Sequence, residues 1–191
     1  MMKLNDIPIE DRIFCNIGDL TSSSTQIVGL FQQENGINKN LFFDHKELDN
    51  IKDKRVLLLL DDFVGSGNAF VNWFSSSMGT NLLERFDKVY FCVLTAFDKG
   101  VTEIKRRTSI ETIYGFKYER KEMVLEGDQF SKKQKSEIKR LILKYKDHFP
   151  KKALWGYDNC QLLVAFETNI PNNTLPIFWS EKNWKPLIKR K

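Results

Sequence analysis

Five apolar residues, Val56-Leu57-Leu58-Leu59-Leu60, run without a polar break into Asp61-Asp62. A strand covered on one face alternates apolar and polar positions. An unbroken run of this length suits a strand buried on both faces of a parallel sheet. Val89-Tyr90-Phe91-Cys92-Val93-Leu94 is a second such run. The stretch between them, from about Asn68 to Phe86, reads as a helix, so 56–94 predicts one β-α-β unit with a right-handed crossover. Upstream, Arg12 to Ile17 reads as a short strand and Gly18-Asp19-Leu20 breaks it. The hydroxyl cluster Thr21 to Thr25 suits a loop or a helix N-cap. Ile27, Val28, Leu30 and Phe31 then repeat at helical spacing, and Asn35-Gly36 is a helix stop.

Residues 37–54 are less regular. Leu41-Phe42-Phe43 reads as a short strand, and the charged remainder as exposed loop or short helix whose length predicts a mobile element. Ile110 to Tyr118 alternates like a half-exposed strand. Ser131-x-x-Gln134 is a capping box. It opens a helix in which Ile138, Leu141, Ile142, Tyr145 and Phe149 recur at helical spacing until Pro150. Gln161 to Glu167 reads as another strand, Pro171-Asn172-Asn173 as a turn, and Thr174 to Trp179 as extended chain. Strands alternating with helices predict an α/β fold, a doubly wound and mainly parallel sheet. No repeat or linker divides the chain, so residues 1–191 read as one domain.

Composition changes this picture little. With 191 residues and 41% hydrophobic content the chain can bury a core. The net charge is +5, and the basic residues gather in 132–146 and 182–191, the wet face of a helix and a basic terminus. That permits a nucleic-acid partner without requiring one. Cys15, Cys92 and Cys160 lie far apart with no C-x-x-C spacing, so neither a zinc site nor a disulfide framework is expected. Cys92, inside an apolar run, reads as packing. His45 and His148 have no visible partner. The polar start carries Asp6, Glu10 and Asp11, and no apolar run approaches the ~18 residues of a membrane span. The expectation is a cytoplasmic protein without a membrane partner. Trp155, Trp179 and Trp184 read as core or rim aromatics rather than base-stacking groups.

The chemistry concentrates at residues 61–69. Two carboxylates follow the apolar run, and the chain turns through Gly65-Ser66-Gly67 into a helix. Ligands of open α/β sheets bind at the carboxyl ends of the strands. Glycines let the backbone approach an anion closely, and the helix start offers unpaired N–H groups. Ser66 and Asn68 add side-chain hydrogen bonds, so the turn is a cradle for a phosphate. Asp61 and Asp62 then suit vicinal hydroxyls or a Mg²⁺ ion. A phosphate beside a diol describes a ribose 5-phosphate.

An apolar run, an acidic pair and a small-residue turn into a helix resemble the signature of the type I phosphoribosyltransferases. That resemblance implies that Asp61 and Asp62 hold the ribose hydroxyls of phosphoribosyl pyrophosphate, with Mg²⁺, at the catalytic centre. It implies that Gly65, Ser66, Gly67, Asn68 and Ala69 hold the 5-phosphate. Leu20-Thr21-Ser22-Ser23-Ser24-Thr25, between a strand and a helix, stands where such enzymes carry the pyrophosphate loop, which implicates Ser22, Ser23 and Ser24. Gln161 to Phe166 followed by Asn172 to Trp179 is similar to the C-terminal segment of the phosphoribosyltransferase-like proteins of prokaryotic conflict and defence systems. The family turn usually ends in Thr, where this chain has Ala69. Purine-using members carry Asp where it has Gly65. The resemblance therefore implies a small-molecule phosphoribosyl or nucleotide ligand and either transfer to an acceptor or binding without turnover, with a homodimer or larger assembly as the possible partner. A third reading compares Asp61-Asp62-Phe63-Val64-Gly65-Ser66-Gly67 with the S-adenosylmethionine loop of DNA amino-methyltransferases. It lacks that loop's Pro, at Asp62, and the partner motif of two prolines and a ring.

Overall fold

The computed structural model describes residues 7–17, 23–51, 56–76, 79–167 and 169–189. Five strands form one parallel sheet: β1 (Arg12–Asn16), β2 (Phe42–Phe43), β3 (Val56–Val64), β4 (Lys88–Phe97) and β5 (Glu111–Tyr118). Their order is β2-β1-β3-β4-β5. Leu58 stands opposite Phe14 on one side and Tyr90 on the other. Among the described residues five helices accompany them: α1 (Ser23–Asn35), α2 (Asn68–Ser75), α3 (Gly79–Arg85), α4 (Asp98–Thr108) and α5 (Lys132–Lys144). The α/β, doubly wound parallel reading of the sequence is the observed fold.

The unbroken apolar run is explained by burial on both faces. Leu57 and Leu59 join Ile13, Phe91 and the α2 residues Phe70, Val71 and Phe74 on one face. Val56, Leu58 and Leu60 join Phe14, Tyr90 and the α1 residues Val28 and Phe31 on the other. Since side chains alternate along a strand, no position of 56–60 can be polar without entering one of these cores. Phe70 stacks on Phe91 with ring centroids 4.1 Å apart.

The chain divides into two compact units, Met1–Ala96 with Gly100–Phe116, and Phe97–Lys99 with Lys117–Lys191. The first holds most of the sheet. Within the second, Val124, Ile142, Phe149 and Leu175 form a core that Trp155, Phe178 and Trp184 pack against. Trp179 is buried, and its indole N–H donates to the Thr174 carbonyl at 2.8 Å. That of Trp184 donates to the Ile177 carbonyl at 3.0 Å. Trp155, Trp179 and Trp184 are thus packing groups, as expected.

Several local expectations are corrected. The helix expected from Asn68 to Phe86 is two, α2 and α3. The first stops at Ser75 because Ser76 takes an extended conformation (ψ 135°) and its hydroxyl donates to the Trp73 carbonyl, the competition by which serine disfavours helix interiors. Helix α4, after β4, has no counterpart in the sequence reading. The capping box at Ser131 forms, with its hydroxyl accepting from the Gln134 N–H, but α5 ends at Lys144 and a 3-10 turn follows. Gln161 to Glu167 is apolar enough for a strand, yet among the described residues its one bridge joins Leu162 to Thr174. The Thr174 hydroxyl takes the bonds a ladder would make, accepting from the Val164 N–H at 3.1 Å and donating to its carbonyl. Pro176–Phe178 is a 3-10 turn rather than extended chain.

The stacked pair identifies a sensitive core position. Phe91→Ala should destabilise the protein by about 3–5 kcal/mol, the usual cost of emptying a buried phenylalanine site. Chemical denaturation followed by tryptophan fluorescence measures it, and a loss under roughly 1 kcal/mol would contradict the packing described.

Candidate functional site

The order β2-β1-β3-β4-β5 contains one reversal of winding, between β1 and β3. The chain leaving β1 enters α1 on the face of Phe14 and Leu58, and the chain leaving β3 enters α2 on the face of Leu57 and Leu59. Two connections that part to opposite faces open a crevice between the strand ends. In doubly wound sheets this is where ligands bind. Among the described residues it is flanked by the start of α1, with Ser23, Ser24 and Thr25, and by the glycine turn before α2, both of which the sequence pattern marks.

Strand β3 runs to Val64, four residues beyond the expected end, so Asp61 and Asp62 lie within it rather than after it. Strand β4 continues alongside, with Asp61 opposite Val93 and Val64 opposite Ala96, which supplies the extra ladder. On the other side β1 stops. Asn16 is its last residue, opposite Leu60, and the Ile17 N–H donates to the Leu60 carbonyl at 3.4 Å. The two aspartates therefore project past the end of β1 along an edge that β1 no longer covers. Asn16 is buried and its amide donates to the Thr25 hydroxyl at 3.4 Å, tying the start of α1 to the strand end.

Asp61 and Asp62 are half-buried, and the Asp62 N–H donates to the Asp61 carboxylate at 2.9 Å. Burial holds the Asp61 carboxyl well above the usual carboxylate range, and the charge of Asp62 raises it further. Burial and mutual repulsion both favour a ligand that brings positive charge or hydroxyl donors to the pair. Among the described residues no three His, Cys, Asp or Glu side chains stand together as a metal cage. Two carboxylates suit Mg²⁺, which takes few protein ligands and completes its shell with water and phosphate oxygens.

Gly65, Ser66 and Gly67 are buried, Asn68 is half-buried and Ala69 exposed. Gly67 has φ 83°, the left-handed conformation, and is the N-cap of α2. Glycine takes it without the steric cost other residues meet. The turn leads into the N-terminus of an eight-residue helix, where the N–H groups and helix dipole favour an anion. The Ser66 hydroxyl accepts from the Asn68 N–H at 3.5 Å. Ser22 lies outside the described residues. Ser23 and Ser24 form the first turn of α1, downstream of β1.

The described part of the segment after α1 is packed against the sheet unit at residues 48–51. Leu48 is buried in the core, and the Arg85 guanidinium donates to Asp49 and to the Leu48 and Ile51 carbonyls. Of the lysines in 37–54 that the sequence offers to pyrophosphate oxygens, Lys39 precedes β2 and so stands at the amino end of the parallel sheet, away from the aspartates, while Lys46 follows β2. Lys52 and Lys54 lie outside the described residues. Burial pushes the Cys15 and Cys92 thiols up to about 12 and Cys160 up to about 11, so all three are protonated packing groups.

Two features escape the sequence reading. One is Gly100, the third residue of α4, which lies against the Gly65–Gly67 turn. The other is a polar constellation within the second unit. Asp158, Asn159 and Gln161 all have positive φ, at 57°, 56° and 53°. The buried Gln161 amide donates to Glu126 at 2.9 Å and accepts from the Leu125 N–H at 3.0 Å. A lone glycine early in a helix is the one local hint of Gly100, since such a glycine usually has a packing reason. Nothing in the residue pattern marks the left-handed backbone at Asp158.

The family model PRTase-CE, a phosphoribosyltransferase-type domain, matches residues 7–190. No curated protein matches the chain. Among the described residues no helix is long and apolar enough to cross a membrane.

The Asp61 carboxyl has a consequence for stability. Its folded value is raised, so between the ordinary aspartate range and that raised value the folded state binds more protons than the unfolded state. Stability contributed by this group therefore falls as pH rises through that window. Asp61→Asn removes the penalty and keeps an acceptor for the Asp62 N–H. The variant should melt higher than wild type at neutral pH, and the difference should vanish as pH falls below about 4. A variant that melts lower at neutral pH would contradict the stated burial of the charge.

Proposed function

Because this chain belongs to the PRTase-CE family of phosphoribosyltransferase-type domains, we propose that it binds phosphoribosyl pyrophosphate or a nucleotide 5-phosphate, with Mg²⁺, in the crevice between β1 and β3. One observation carries the reading: the single reversal of the sheet falls between the two strands whose following segments hold the hydroxyl cluster and the glycine turn. In this reading Asp61 and Asp62 accept hydrogen bonds from the ribose hydroxyls or hold Mg²⁺. The N–H groups of Ser66, Gly67, Asn68 and Ala69 take the 5-phosphate, with Gly65 setting the turn. Ser22, Ser23 and Ser24 take the pyrophosphate.

The reaction is transfer of the phosphoribosyl group to an acceptor. The bond from the anomeric carbon to the pyrophosphate oxygen breaks, a bond from that carbon to the acceptor nucleophile forms, and the acceptor's proton is lost. Mg²⁺, when bound, neutralises the leaving pyrophosphate. The chain's own part is to hold the ribose by its hydroxyls and the 5-phosphate by fixed backbone donors, so that the anomeric carbon is presented in one orientation. The resemblance to phosphoribosyltransferase-like proteins of conflict systems extends the proposal to a role in such a system.

A second reading, binding without transfer, is favoured by Gly65 and Ala69. Gly65 has no side chain to act on a base, and Ala69 cannot donate a hydroxyl to the phosphate. The two readings share the site and differ in turnover. Incubation with Mg²⁺, phosphoribosyl pyrophosphate and pooled nucleobases distinguishes them: pyrophosphate release that depends on an acceptor supports transfer, and tight binding without release supports a sensor. In either case Asp62→Asn should weaken phosphoribosyl pyrophosphate binding by about tenfold or more, the scale of a lost charge-assisted contact. Calorimetric titration measures it, and unchanged affinity would remove the acidic pair from the site.

A further inference from the structure

Gly100 is buried, and its backbone leaves no space for a side chain. A Cβ there would stand 2.2 Å from the Gly65 carbonyl oxygen and 3.0 Å from both the Gly65 carbonyl carbon and the Gly67 nitrogen. The contact is reciprocal. A Cβ on Gly67 would stand 2.7 Å from the Gly100 oxygen and 3.2 Å from Cγ1 of Ile104, which is fully buried. Every close atom but that last one is backbone, which cannot swing aside as a long side chain does. By contrast, Gly29 and Gly36 would meet nothing within 4 Å. Gly100 is not required by its dihedral angles, since it lies in helix α4 and is not among the glycines of positive φ. Glycine weakens a helix relative to alanine, so the helix gains nothing from it. What it permits is the approach of the turn.

We infer that Gly100 is a positioning residue for the 5-phosphate turn. Its missing side chain sets where the Gly65 carbonyl and Gly67 N–H stand, and so the distance from the phosphate cradle to Asp61 and Asp62. This rests on the phosphoribosyl reading above. It implies that α4 fixes the spacing between the two halves of the site. A displaced cradle no longer lets one ribose 5-phosphate reach both halves, while a ligand that engages only the pyrophosphate side is indifferent to it.

The test is calorimetric titration of the full chain with phosphoribosyl pyrophosphate and, separately, with inorganic pyrophosphate, both with Mg²⁺. Gly100→Ala should weaken phosphoribosyl pyrophosphate by roughly tenfold or more, because small misplacements of binding groups are costly, and should change pyrophosphate affinity by less than about twofold. Gly127→Ala places a Cβ 2.0 Å from the Lys121 oxygen, in the other unit. It should lower the melting temperature without changing the ratio of the two affinities, which separates positioning from general destabilisation. If Gly100→Ala does not fold, Ile104→Val, a milder change beneath the same turn, should shift the ratio in the same direction by about threefold. An unchanged ratio in the folded variant, with wild type binding phosphoribosyl pyrophosphate, overturns this inference alone. Wild type that does not bind phosphoribosyl pyrophosphate overturns the phosphoribosyl reading, and this inference with it.

Discussion

Burial of β3 on both faces is the constraint on which the rest of the structure depends. A strand that opens on five unbroken apolar positions cannot be left half-covered, so helices must pack on both sides of the sheet. Helices on both sides require the winding to reverse once, and it reverses between β1 and β3. The reversal leaves a crevice at the carboxyl ends of those strands. The position of the candidate site is thus a consequence of covering Leu57, Leu58, Leu59 and Leu60, not an addition to the fold.

The same constraint explains the electrostatics. Asp61 follows directly on the apolar run and inherits part of its burial, which raises its carboxyl. A charge in that place is tolerable when a ligand supplies hydroxyl donors or a cation. The glycine turn answers the other half of the problem. It passes through a left-handed residue, Gly67, and packs backbone to backbone against Gly100. Acid pair and turn are joined by Phe63 and Val64, which remain in the strand, so the sheet holds the acidic pair while the contact with Gly100 seats the turn.

Much of this was legible in the residues. The unbroken run at 56–60, the acidic pair and the glycine turn are adjacent in sequence, and local order of that kind survives folding. The α/β class followed from the alternation of strands and helices. What was illegible depended on distant partners. The extension of β3 to Val64 needs β4 beside it. The break between α2 and α3 turns on how Ser76 competes for a backbone carbonyl. At 161–167 the Thr174 hydroxyl replaced the expected ladder. The anchoring of 37–51 by Leu48 and Arg85, and the seat of the turn on Gly100, are tertiary contacts with no local pattern.

The most direct measurement of the central claim is a crystal structure of the protein with ribose 5-phosphate and Mg²⁺. The phosphate is expected on the backbone N–H groups of residues 66–69, with the ribose hydroxyls or the cation at Asp61 and Asp62. Phosphate density away from that turn, with the acidic pair unengaged, would contradict it.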